Sequence, residues 1–172
     1  MNDPAKKKCV NIAILTVSDT RTLENDTSGQ TLADRVQAAG HHIADRRIVK
    51  DEIPLLQETL REWIGRADVD VVISTGGTGV TGRDVTPEAF EGLYEKSIPG
   101  FGELFRWLSY QNIKTSTIQS RATAGVAKGT FLFALPGSTG ACKDAWDQIL
   151  VHQMDSTHKP CNLVELMPRL ME

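Results

Sequence analysis

The chain has 172 residues and a mass of 18.9 kDa, a length that favours one domain around one hydrophobic core. With 40% hydrophobic and 24% charged residues it has the composition of an ordinary globular protein, able to bury about 70% of the surface its unfolded chain exposes. Nineteen Lys and Arg against 22 Asp and Glu give a net charge of -3. A protein that grips a phosphodiester backbone carries a basic surplus, so nucleic acid is excluded as the principal ligand.

The expected organisation is one domain over 1–172, with 1–8, including Lys6-Lys7-Lys8, as a flexible solvated tail. Val10 to Val17 reads as a buried strand: apolar, β-branched and almost uninterrupted. It is too short for a signal core or a membrane span, so a cytoplasmic protein with no membrane contact is expected. Asp26-Thr27-Ser28 can cap a helix with Leu32, Val36 and Ala39 inward and Gly40 as its stop. Ile43 to Val49 is a more polar strand nearer an edge, and Ile53-Pro54 opens a helix with Leu56, Leu60, Trp63 and Ile64 on one side. Val69 to Thr75 is a third strand, ending in glycines, and Pro87 begins a helix with Phe90, Leu93 and Tyr94.

The stretch from Ile98 to Ala127 reads as helical in pieces. Phe131 to Leu135 is a further buried strand, followed by a helix with Cys142, Ala145, Trp146, Ile149 and Leu150 inward, and a short helix ends the chain near Leu163 to Leu170. Strands spaced by helices in this way predict a three-layer α/β/α sandwich with a mostly parallel central sheet. Trp63, Trp107 and Trp146 lie at core spacing and read as packing, although Phe101, Phe105 and Trp107 could also give one mid-chain helix an apolar face. His41, His42, His152 and His158 have no ligand partner in sequence and read as solvated. Cys9, Cys142 and Cys161 lack CxxC spacing, which argues against disulfides and zinc and for a reducing compartment.

Ligands of open parallel sheets bind beyond the carboxyl ends of the strands. Those ends carry Ser18-Asp19, Lys50-Asp51-Glu52, the run Gly76 to Asp84, and Pro136-Gly137-Ser138. Thr75-Gly76-Gly77-Thr78-Gly79 packs three glycines into five residues, a loop that suits a phosphate or another anion. No Walker A lysine follows, and the GxGxxG at Gly77, Gly79 and Gly82 lies after the wrong strand and too far ahead of its helix for a dinucleotide fold. A tight turn without a ligand is the plain alternative. A carboxylate beside an anion nest needs a cation between them, and Mg²⁺ takes one or two carboxylates plus phosphate oxygens. Asp84, with Asp51 and Asp19 from neighbouring strand ends, therefore suits metal-assisted phosphoryl or nucleotidyl transfer. Helix capping is the alternative for Asp51 and Asp84, and Ser120-Arg121 could serve a phosphate or an exposed ion pair.

The run Ser74 to Glu88, Ser-Thr-Gly-Gly-Thr-Gly-Val-Thr-Gly-Arg-Asp-Val-Thr-Pro-Glu, resembles the signature of molybdenum cofactor biosynthesis proteins of the MoaB/MogA family. Val49 to Glu52, Pro99 to Glu103, Ser120-Arg121-Ala122 and Ala134 to Ser138 extend the likeness over nearly the whole chain. Thr81 to Asp84, Ala141-Cys142 and Lys159 to Asn162 resemble the MoaB branch. The resemblance implies a molybdopterin-binding domain that forms homotrimers, or hexamers built as dimers of trimers. It implies adenylylation of molybdopterin, with Mg²⁺ as cofactor and ATP as co-substrate, or a carrier that binds molybdopterin without catalysis. It implies Asp51 and Asp84 as catalytic and Mg²⁺-holding residues. On the pterin side it implies Ser18, Asp19, Thr75, Gly76, Gly77, Thr78, Gly79, Pro136, Gly137 and Ser138.

Overall fold

A computed structural model describes residues 6–172. Residues 1–5 of the expected tail lie outside the described residues. Of the remainder, Lys7 pairs with Asp155 at 3.4 Å and the Lys8 amide donates to the Ser156 hydroxyl at 2.9 Å.

Strands β1 (Asn11–Val17), β2 (His42–Val49), β3 (Val71–Thr75), β4 (Lys96–Ser97), β5 (Thr123–Ala127) and β6 (Thr130–Leu135) form one sheet in the order β2-β1-β3-β6-β5-β4. The four strands β2, β1, β3 and β6 are mutually parallel, and β5 and β4 extend the sheet antiparallel. Parallel strands need helical crossovers, and the helices cover both faces. Helices α1 (Thr27–Ala38), α4 (Pro99–Ile113) and α5 (Thr139–Ala145) pack with Ile12, Ile14, Val71, Ile73 and Phe133 on one side. Helices α2 (Ile53–Trp63) and α3 (Thr86–Glu91) pack with Ala13, Leu15, Val17, Val72 and Leu132 on the other. The strict alternation along β1 between the two cores is the pleat made visible. Leu32, Leu56 and Leu60 are fully buried, and each such side chain contributes about 1.5–3 kcal/mol of transfer free energy.

The chain signals for α1 hold in detail. The Asp26 carboxylate accepts from the Gly29 amide at 3.0 Å, and Gly40 closes the helix at φ +82°. The polar β2 is indeed the sheet edge. The helix after β6 continues from α5 through a π-helical turn, Trp146–Leu150, to a last turn α6 (Val151–Gln153).

Three expectations fail. Thr123–Ala127 is not helical but forms β5. Its small residues carry no alternating signal, and Gly125 is there because the Tyr94 ring occupies the space of a side chain, 2.4 Å from where a Cβ would stand. Phe101 and Phe105 do not form an exposed face but enter the core, 5% and 1% exposed. Trp107, by contrast, is 65% exposed and packs in no core; it shares a ridge of α4 with Leu104, Tyr110 and Ile113, all exposed.

His41 also departs from a solvated reading. It is buried, its Nδ1 accepts from the Val10 amide at 3.2 Å, and its Nε2 has no partner. Burial, helped by the Lys7 charge and opposed by Asp155, holds its pKa below the usual value. The unfolded chain therefore takes up the proton more readily than the folded one. Stability from His41 is fully present above the unfolded pKa of about 6.5 and is lost as pH falls from there through the lower folded pKa. Thermal melts from about pH 7.5 down to about pH 5.5 should show the wild type losing more than His41→Asn, which keeps an acceptor for Val10. Equal slopes would remove His41 as the source.

Candidate functional site

The carboxyl ends of the four parallel strands are knitted together just beyond the sheet. The Ser18 amide donates to the Val49 carbonyl at 2.9 Å, and the Gly76 amide to the Leu135 carbonyl at 3.0 Å. Gly76 turns the chain at φ +106°, with its Hα side against the Val17 carbonyl; a Cβ there would lie 2.3 Å from that oxygen. Gly77 follows at φ +69° and lets Thr86 and Asp51 close in, a Cβ standing 2.3 Å from the Thr86 Oγ1 and 2.9 Å from the Asp51 Oδ1. At Gly79 the nearest atom to such a Cβ is the Asp84 Oδ2, at 2.7 Å. Asp51 and Asp84 thus border the same glycine loop, two residues apart along it.

The electrostatics follow from this crowding. Burial pushes the Asp51 carboxyl above its usual range, and the charges of Asp19 and Asp84 add to that, against the pull of Arg83. Burial also acts on Asp84, but it is outweighed by the Thr81 hydroxyl and amide and the Gly79 amide, which leave that carboxyl below its usual range. The Asp84 Oδ2 accepts from the Thr81 amide at 2.9 Å and the Thr81 hydroxyl at 2.7 Å. Arg83 forks onto Asp19, Nη2 to Oδ1 at 2.8 Å and Nε to Oδ2 at 3.1 Å, which lowers the exposed Asp19 carboxyl. Asp19 in turn accepts from the Asp51 amide at 3.3 Å, so one carboxylate joins three strand-end loops.

A cleft of about 400 Å³ opens beside the loop. Gly77, Thr78, Gly79, Asp84, Pro136, Gly137 and Ser138 line it. Ser18, Asp19, Asp51, Thr75 and Gly76 do not. The Ser18 hydroxyl accepts from the Thr20 and Arg21 amides, stabilising its own turn. Thr75 is buried and donates to the Pro136 carbonyl at 3.0 Å, while Cys142 donates to the Thr75 hydroxyl from behind at 3.3 Å. Burial pushes the Cys142 thiol up to about 11, too high for a nucleophile. Ser138 caps α5 through the Ala141 amide at 3.1 Å. The far wall is formed by Ser109 and Ile113 of α4, and by Ser116 and Gln119 of the 3-10 helix Lys114–Gln119. Sequence reasoning missed these four, since only the fold lays that segment across the strand ends; the hydroxyl run Thr115-Ser116-Thr117 was its sole hint.

Asp51 and Asp84 suit a divalent cation only in part. Among the described residues no three His, Cys, Asp or Glu side chains converge on one point. Mg²⁺, however, takes one or two carboxylates and fills its remaining positions with phosphate oxygens and water. Two aspartates bordering one glycine loop, with the Asp51 carboxyl raised by burial and by the charges of Asp19 and Asp84, fit that pattern.

Residues 13–156 match the family described as "Probable molybdopterin binding domain". The chain belongs to this family, the molybdenum cofactor biosynthesis proteins. It is 52% identical over 151 residues to molybdenum cofactor biosynthesis protein B of Escherichia coli strain K12, covering 88% of this chain and 89% of that one. The protein of the same name from Bacillus subtilis strain 168 is 46% identical over 146 residues, covering 84% and 86%. A crystal structure of molybdenum cofactor biosynthesis protein B superposes with a TM-score of 0.86 at 40% identity, over 95% of this chain and 97% of that one. The tungsten cofactor synthesizing protein MoaB of Pyrococcus furiosus does so at 0.74 and 30% identity, over 96% and 99%. Within the MoaB/MogA family these relatives place the chain in the MoaB branch, and its six-stranded, mostly parallel sheet is the fold of that family.

Proposed function

We propose that this chain adenylylates molybdopterin with Mg-ATP. The observation that carries the reading is the meeting of two carboxylates with one glycine loop: Asp51 at Gly77 and Asp84 at Gly79. In this reaction a terminal phosphate oxygen of molybdopterin attacks the α-phosphorus of ATP. A new P–O–P bond forms, the bond between the α-phosphorus and its bridging oxygen breaks, and pyrophosphate leaves with the electron pair. No proton-abstracting side chain and no covalent protein intermediate is required. Asp51 and Asp84 would hold Mg²⁺, which when bound offsets the repulsion between two anionic substrates.

The chain's own residues bind and orient. Gly77, Thr78 and Gly79 form one wall for the pterin phosphate, with Pro136, Gly137 and Ser138 beside them. Ser18, Asp19, Thr75 and Gly76 support the reading from behind that wall, by holding the loops that carry it. The exposed ridge Leu104, Trp107, Tyr110 and Ile113 supports assembly into homotrimers or hexamers, since an apolar stripe of that size is costly in water. Three free thiols, two of them exposed, agree with a reducing cytoplasm. Among the described residues no helix is long and apolar enough to cross a membrane.

The test is to incubate the protein with molybdopterin and Mg-ATP and to measure pyrophosphate and adenylylated pterin together. Equal amounts of both are expected. Pterin binding without pyrophosphate release selects a carrier, and light scattering at the 18.9 kDa monomer mass removes the assembly.

A further inference from the structure

An anion approaching a tight loop meets carbonyl oxygens as readily as amides, and it is repelled unless those oxygens are turned away and occupied. In the glycine loop all four carbonyls from Gly76 to Gly79 are occupied by the protein itself. The Thr86 hydroxyl donates to the Gly76 carbonyl at 2.8 Å and the Thr86 amide to that of Gly77 at 3.0 Å. The other two belong to Arg121: its amide donates to the Thr78 carbonyl at 2.9 Å and its Nε to the Gly79 carbonyl at 2.7 Å. Its Nη2 reaches on to the Asp84 carbonyl at 2.8 Å, and Glu88 pairs with its Nη1. Arg121 stands between the 3-10 helix and β5, some 40 positions along the chain from what it holds.

We propose that Arg121 is the positioning residue that keeps the 79–84 loop open to an anionic ligand, by gathering the carbonyls of Gly79 and Asp84 on one guanidinium face while its backbone amide holds that of Thr78. The two ends of the loop are thereby tied to a single rigid group, and the Asp84 carboxylate is presented next to Gly79. Glu88 neutralises the guanidinium from the far side, so Arg121 contributes geometry rather than net positive charge. Lysine cannot replace it: an ammonium is a point donor and cannot hold two carbonyls and a carboxylate in one plane. The inference rests on the proposed adenylyl transfer for its kinetic arm alone.

Arg121→Lys and Arg121→Ala are compared with wild type by amide hydrogen exchange, kinetics and chemical rescue. Exchange at the Thr81 and Asp84 amides should rise about tenfold or more in both variants, with the β1 and β3 amides within about twofold of wild type. The kcat should fall about 10- to 100-fold while KM for molybdopterin moves less than about threefold, because Thr86 still holds the Gly76–Gly77 end. Millimolar guanidinium should restore at least about fivefold of the lost rate in Arg121→Ala and nothing in Arg121→Lys, whose side chain blocks the site. Unchanged exchange at Thr81 and Asp84 in both variants overturns the proposal. So does exchange that rises equally in the strands, or an activity loss that guanidinium leaves untouched in Arg121→Ala. If the wild type releases no pyrophosphate, the adenylyl-transfer reading fails by itself and the exchange data still decide on Arg121.

Discussion

Asp84→Asn should lower kcat for adenylyl transfer by roughly two to three orders of magnitude, while molybdopterin binding stays within about threefold of wild type. The amide side chain keeps an oxygen where the Asp84 Oδ2 accepts from the Thr81 amide and hydroxyl, so the loop retains its shape. What is lost is one negative charge beside the glycine loop, and with it half of the carboxylate pair that would hold Mg²⁺. Shape serves binding and charge serves turnover, so the two readouts separate. Paired measurements of kcat and of pterin affinity decide the matter. Turnover at the wild-type rate would sink the metal role, and a parallel collapse of binding would make Asp84 a capping residue instead.

Gly76→Ala should be strongly destabilising. The position has φ +106°, and its new Cβ would stand 2.3 Å from the Val17 carbonyl oxygen. That oxygen belongs to backbone at the end of β1, flanked on both sides by strands, so it cannot yield as a side chain would. Strain of this backbone kind costs about 1–3 kcal/mol, and overpacking adds a similar amount, about 1–3 kcal/mol. A fall in melting temperature of roughly 5–20 °C is expected for a chain of this size. Gly82→Ala is the comparison, since nothing lies within 4 Å of its Cβ position and its φ is not in the left-handed region. It should melt within about 2 °C of wild type. Similar melting for the two variants would refute the packing argument.

Much of the architecture was legible because it rests on local chemistry. Val10 to Val17 is too continuously apolar to be anything but an inner strand, and Asp26, Gly40 and Ile53-Pro54 mark helix ends by groups that act within a few residues. The family likeness was legible in Ser74 to Glu88 for the same reason: a glycine loop and its acidic partner are consecutive. β5 was not legible. Thr123–Ala127 is extended only because β6 pairs with it and Tyr94 fills the space over Gly125. His41 was misread because its burial is imposed by Val10 and the neighbouring Trp146 ring, neither near it in sequence.

The candidate site divides along the same line. Periodicity, capping residues and glycine spacing act over one or two turns of chain, and they were enough to specify the layers, the parallel sheet and which segments crown its carboxyl edge. Contacts between those segments depend on strand order and register, which bring together residues far apart in the chain: Asp51 against Gly77, Arg83 on Asp19, Arg121 under Gly79. No local rule encodes such distances, because each is the sum of a whole topology. Only the folded chain could decide that Asp51 borders the loop from outside the cleft, that Ser18 and Thr75 spend their hydroxyls on the scaffold, and that α4 supplies the opposite wall.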